Sequence, residues 1–264
     1  MILDRCGRSL ARFLSAPRPH CVQANTSDPA MLAKVLRPGD ILLVEGSSRI
    51  STAIKYLTQS SWSHAAFCIA PPQPHGDKAT APAVLLEADV NAGVRIVPLE
   101  SYAELHTRIC RPIGLTSDEL AEVIAFTMKR LGHRYDMKNI FDLARYFLPI
   151  PPVPSRYRRR LLHMGSGDPT RAICSSLIAE AFQSVGYPVL PNRLLLPPDS
   201  PEAIEGHREA LEIRHHSLFT PRDFDVSPYF RIVKPTLELG FDPHNLLIAP
   251  RELVPVQDPT ATAA

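Results

Sequence analysis

Short apolar runs bounded by glycine, proline or polar clusters dominate the first half of the chain. GDILLV (39–44), AAFCIA (65–70), AVLLEA (83–88), VRIVPL (94–99) and RICRPI (108–113) are rich in β-branched and aliphatic residues and predict strands. A helical period replaces the strand pattern elsewhere. RISTAIKYLTQSS (49–61) predicts a short helix. Thr116 with Glu119 forms a capping box ahead of Leu120, Val123, Ile124, Thr127, Met128 and Leu131, and Gly132 stops the pattern, so a helix spans 117–131. Ile173, Leu177, Ala181 and Val185 recur at every fourth place before Gly186, which predicts a helix from about Arg171 to Val185. Strands grouped without intervening helices indicate an antiparallel sheet in an α+β domain.

Proline punctuates this pattern. The chain has 27 prolines in 264 residues, about twice the ordinary usage of roughly 5%. They cluster at 71–82, 149–155 and 188–201 and recur from Pro221 onward, so that the C-terminal part reads as irregular wrapping segments. The organisation expected is an N-terminal amphipathic helix and linker (1–36), a main domain (37–235) with an apolar and basic insertion at 140–171, and a Pro-rich tail (236–264). Ile2, Leu3, Cys6, Leu10, Phe13 and Leu14 share one face of the first helix, opposite arginines, a pattern that also suits a bilayer surface.

Charge narrows the partners. With 29 Lys+Arg against 27 Asp+Glu the net charge is +2, which excludes a bulk basic field for nucleic acid. The only dense basic run, Arg156, Arg158, Arg159 and Arg160, suits phosphates or lipid headgroups, so peripheral membrane contact is one expectation. Asp4, Arg5, Arg8 and Arg12 interrupt any secretory apolar run, which predicts a cytoplasmic protein. Five widely spaced cysteines without a CxxC indicate neither a disulfide framework nor a zinc site. His207, His215 and His216 form no metal signature and read as surface groups, so neither metal nor organic cofactor is expected.

Three residues suggest chemistry. If AAFCIA and AVLLEA pair antiparallel with Ala70 opposite Ala81, His64 stands opposite Glu87 on the same face, where a carboxylate can hold the imidazole in one tautomer. A slip of one residue would part them. Cys174 falls near the start of the last helix, where unpaired N–H groups and the helix dipole lower a thiol pKa and can also receive an oxyanion. Thiolate, imidazole and carboxylate suffice for acyl transfer through a thioester. Each also has a structural reading: a buried small cysteine, a satisfied histidine, a solvent-facing glutamate.

The segments GDILLVEGSSRISTAIKYLTQSSWSHAAF, LLEADVNAGVRIVPL, LGHRYDMKNIFDLAR, ICSSLIAEAF and TPRDFDVSPYF, in this order, resemble the permuted papain-like amidases of the YiiX/YaeF group, a circularly permuted branch of the NlpC-type cysteine hydrolases related to lecithin:retinol acyltransferase-like enzymes. The resemblance runs from about Arg37 to Pro235. It implies a permuted papain-like fold in which the histidine precedes the cysteine, with His64 as general base and acid, Glu87 as its orienter and Cys174 as nucleophile. Tyr135 would position substrate or serve the oxyanion, with a packing tyrosine beside a helix end as its structural reading, and Ser63 and Ser175, neighbours of the histidine and cysteine, would contact substrate. The activity implied is that of a cysteine hydrolase on an amide, with ester or thioester hydrolysis, or transacylation, as variants. A lipid- or peptide-binding module on the same scaffold is the alternative.

Overall fold

The computed structural model describes residues 28–70, 73–74, 80–81, 83–133, 173–195 and 209–245, together with Ala16. The elements positioning the site are α1 (Pro29–Val35), β1 (Ile41–Glu45), α2 (Arg49–Thr58), β2 (His64–Ala70), β3 (Val84–Asp89), β4 (Gly93–Pro98) and a 3-10 turn (Leu99–Tyr102). After these come β5 (His106–Pro112), α3 (Ser117–Met128), α4 (Ile173–Ser184), a two-stranded ribbon of β6 (Asn192–Leu195) and β7 (Glu209–Glu212), α5 (Pro221–Val226), β8 (Phe230–Val233) and α6 (Pro235–Glu238). Six strands form one antiparallel sheet in the order β8-β5-β1-β2-β3-β4. The fold is α+β.

Strand periodicity builds two cores on one sheet. Ile41, Leu43, Ala65, Phe67, Leu86 and Ala88 face α4 and a group of phenylalanines, including Phe182, Phe219, Phe224 and Phe230. Their alternates Leu42, Val44, Ala66, Cys68 and Leu85 face α1 and the 3-10 turn through Leu32, Val35, Leu36, Leu99 and Tyr102. Burial on both sides explains why the central runs read as continuous apolar stretches.

Local signals placed most helix ends. Thr116 Oγ1 accepts from the Glu119 N–H, and the Glu119 carboxylate accepts from the Thr116 N–H at 2.8 Å, completing the expected capping box. Gly132 and Gly186 both take positive φ, at 79° and 72°, where a side chain would be strained. Asp28 accepts from Ala30 N–H and precedes Pro29 at the first helical position, a start signal within the stretch expected to be linker.

Two expectations need correction. Residues 221–238 are not irregular: α5 packs Phe224 into the core, and β8 pairs with β5, Ile232 opposite Cys110, to complete the sheet. Its alternation is only four residues long, too short to stand out among the prolines. The β2–β3 register also differs. Phe67 lies opposite Leu86, where the assumed pairing has Val84, and a bulge between Cys68 and Ala70 then shifts the ladder. A displacement of two residues preserves the face on which each side chain points.

Candidate active site

Because the shift is even, His64 and Glu87 keep a common face and meet as diagonal neighbours: His64 Nε2 donates to Glu87 Oε2 at 2.7 Å. Two further donors converge on this carboxylate. The Tyr102 hydroxyl donates to the same oxygen at 2.5 Å, and Arg95 donates from Nε and Nη2 to Oε1 at 2.8 and 2.7 Å. Arg95 is the cross-strand partner of Glu87, set by the tight turn after Asp89, whose carboxylate accepts from the Asn91 and Ala92 N–H groups. The sequence reading singled out neither Arg95 nor Tyr102. The first was legible in the DVNAG turn, which fixes the hairpin; the second sits in a 3-10 turn whose contacts only packing decides.

Cys174 enters from the other side of the sheet. It lies in the first turn of α4, is 5% exposed, and belongs to the core facing that helix. Its sulfur and the imidazole meet at the end of β2, whose first residue is His64. With Nε2 committed to Glu87, the nitrogen hydrogen-bonded to the sulfur is Nδ1. The β2–β3 ladder begins only at Phe67, and short of it the Ala65 N–H donates to the sulfur, as does the N–H of Ser175.

These contacts separate charge. Burial alone would push the Cys174 thiol up, but the facing His64 imidazolium and the two backbone donors hold it below its ordinary value. Burial likewise disfavours the imidazolium, and the Cys174 sulfur and Glu87 carboxylate on either side outweigh this, raising His64 to about 10. Glu87, penalised by burial, is brought down to about 2 by His64, Tyr102 and Arg95. All three shifts act in the direction of a thiolate, an imidazolium and a carboxylate in a row, with the His64 side chain 23% exposed.

Ser63 and Ser175 are committed internally. Ser63 Oγ accepts from Gly46 N–H at 2.9 Å and holds the β1–α2 turn against the histidine, whereas Ser175 Oγ donates to the Phe219 carbonyl at 2.8 Å. Tyr135, the arginines at 156, 158, 159 and 160, His207 and the N-terminal amphipathic segment lie outside the described residues. His215 is exposed and donates to or accepts from Ser217 Oγ.

Residues 35–147 match the family described as permuted papain-like amidase enzyme, YaeF/YiiX, C92. The chain is similar to the permuted papain-like amidases. The matched stretch contains His64 and Glu87 and ends before Cys174. The six-stranded antiparallel sheet with the cysteine-bearing helix on one face is an α+β core, of which the stretch up to residue 147 is similar to the permuted papain-like family. No curated protein matches the chain. Among solved structures, a crystal structure titled metalloprotein yiiX from Escherichia coli O157:H7 aligns at 15% identity and a TM-score of 0.43, covering 75% of this chain and 96% of that one. Among the described residues, no group of three or more His, Cys, Asp or Glu is placed to hold a metal ion, and no helix is long and apolar enough to cross a membrane.

Proposed function

We propose that the protein is a cysteine-dependent hydrolase of amide bonds, with Cys174 as nucleophile, His64 as general acid and base, and Glu87 as the group orienting the imidazole. The observation that carries this is the division of the His64 ring: one nitrogen is held by Glu87 and the other faces the Cys174 sulfur. The thiolate attacks the carbonyl carbon, a C–S bond forms, and negative charge moves to the carbonyl oxygen. N–H groups at the start of α4 are the nearest donors for that oxyanion. As the tetrahedral species collapses, the C–N bond breaks and Nδ1 gives its proton to the departing amine. Neutral His64 then takes a proton from water, whose hydroxide attacks the thioester; C–S cleavage returns the thiolate and releases the acid. The imidazolium–thiolate pair is restored.

Ester and thioester carbonyls present the same electrophile, and replacing water with another nucleophile turns hydrolysis into transacylation. A binding module has no use for this site. A buried thiolate–imidazolium pair is costly to desolvate, and a scaffold that only binds would do as well with apolar residues there. The test is activity-based profiling with peptidyl and acyl electrophiles of graded chain length, comparing the native chain with Cys174→Ala. Labelling confined to Cys174, with its preferred probe marking the substrate class, supports the reading. Undiminished labelling and turnover in the Cys174→Ala form overturn it.

A further inference from the structure

The FTPRDFD segment (219–225) has no part in the chemistry above, yet it touches both arms of the site. On the cysteine side, the Phe219 carbonyl accepts from Ser175 Oγ, on the residue next to the nucleophile. On the histidine side, Asp225 Oδ2 accepts from the indole N–H of Trp62 at 3.0 Å, two residues before His64. Asp225 Oδ1 accepts from Arg108 Nη1 at 2.6 Å, and the Arg108 guanidinium lies 4.9 Å from the centre of the Trp62 ring. The ring also stacks on His106 at 5.2 Å and 22°. A third tie runs from Arg222 Nη1 to the Thr58 carbonyl at the end of α2, where the chain turns toward Trp62.

The segment itself is rigidly set. Phe219 and Phe224 are 1% and 0% exposed, and the Asp223 carboxylate accepts from both the N–H and the hydroxyl of Thr220 at 2.7 and 2.9 Å. Phe224 packs edge-on against Phe230 of β8. One short stretch therefore fastens the start of α4 and the approach to β2 to the same core.

We propose that residues 219–225 form a brace fixing the separation of the Cys174 sulfur and the His64 ring, with Asp225 and Trp62 as positioning residues. This rests on the cysteine-hydrolase reading of the site. Sulfur and imidazole sit on different elements and on different faces of the sheet, joined by no strand ladder. Beyond the packing of α4 on β2 and the Ala65 N–H that reaches the sulfur, the brace ties each side to one further segment. Thiolate formation depends steeply on that spacing, since the imidazolium opposes the burial of the sulfur only at hydrogen-bond range.

The test is the pH dependence of Cys174 alkylation by iodoacetamide, followed by peptide mass spectrometry in the full-length chain. Trp62→Phe keeps the ring and removes the indole donor; Asp225→Asn keeps the shape and removes the charge. The groups facing the pair, Glu87, Arg95 and Tyr102, stay unchanged in both. Each variant is expected to shift the rate–pH profile of Cys174 alkylation upward by about one pH unit, because a weaker imidazolium contact raises the thiol pKa. Thr116→Ala, which removes the distant α3 cap, should lower the melting temperature and leave the alkylation profile in place. An unchanged profile in Trp62→Phe, whatever its melting temperature, overturns the brace, and that variant decides alone if Asp225→Asn does not fold. Native Cys174 reacting no faster than Cys68 or Cys110 would instead overturn the hydrolase reading, and the brace with it.

Discussion

Near each end of β2 lie a buried thiol, a buried carboxylate and an arginine, and the two groups behave oppositely. Near Ala70, Cys68 is shut into the core and its thiol donates to the Ala70 carbonyl at 3.6 Å. Burial, reinforced by the Asp40 charge, pushes its pKa up to about 12. Arg111 relieves this only in part, because Nε and Nη2 are spent on the two Asp40 oxygens at 2.7 Å and Nη2 also serves the Val35 carbonyl. At the His64 end the thiol is also buried, 5% exposed against 0% for Cys68, yet its pKa falls. The difference is the group between sulfur and carboxylate. An imidazole placed there stores the proton and neutralises both neighbours, whereas at Cys68 the carboxylate repels the thiolate directly. The same three kinds of residue make a strut at one end and the candidate site at the other.

Exchanging roles between the ends breaks this comparison most sharply at sulfur. Cys174→Ala should cut amide or probe turnover by about 10⁴-fold or more. Cys68→Ala should leave turnover unchanged; equal losses in the two variants would erase the distinction. At the carboxylates, Asp40→Asn leaves Arg111, 12% exposed, without its counter-charge. Chemical denaturation should register a loss of about 3 kcal/mol or more, with the Cys174 alkylation rate as in the native chain.

Glu87→Gln reverses that pattern. It keeps the hydrogen-bonding shape and is expected to lower turnover by about 10²-fold through a misoriented imidazole. It also carries a signed pH dependence. The folded-state pKa of Glu87 is lowered from 4.5 to about 2, so its ionised form stabilises the fold at neutral pH, and that stabilisation disappears as pH falls through the interval between those values. The gap in unfolding free energy between the native chain and Glu87→Gln should shrink by about 3 kcal/mol on acidification from pH 6 to pH 2, since each pH unit across that interval removes about 1.4 kcal/mol. A constant gap would mean that the carboxylate gains nothing from its three donors.

The smallest expected effect sharpens the picture within one end. Tyr102→Phe removes one charge-assisted hydrogen bond to Glu87, worth about 1.5 kcal/mol, so turnover should fall roughly tenfold. Arg95→Gln should cost less, under about 1 kcal/mol, because the Arg95 side chain is 49% exposed and water screens its pairing. A larger loss from Arg95→Gln than from Tyr102→Phe would show that charge rather than hydrogen-bond geometry keeps Glu87 in place.

The sequence reading reached His64, Glu87 and Cys174 through different kinds of signal. Glu87 ends an apolar strand, which marks a carboxylate needing a partner, and Cys174 lies at a recognisable helix start. The pairing of His64 with Glu87 survived a wrong register because side chains alternate with period two and the error was two. Tyr102, Trp62 and Asp225 carry no such mark. A tyrosine after a strand or an aspartate among prolines looks the same whether it binds a distant side chain or faces water.

The amino-acid order by itself determined the alternation that gives the sheet two apolar faces, the capping boxes and glycines that end the helices, and the residue types able to make a thiolate. These are short-range properties, fixed by backbone geometry within a few positions. Tertiary structure decided which of the three buried cysteines among the described residues meets the imidazole, which donors hold Glu87, and that β8 and α5 complete the sheet and tie its two arms together. Those outcomes depend on contacts between segments far apart along the chain, where packing of whole faces, rather than local preference, selects the partner.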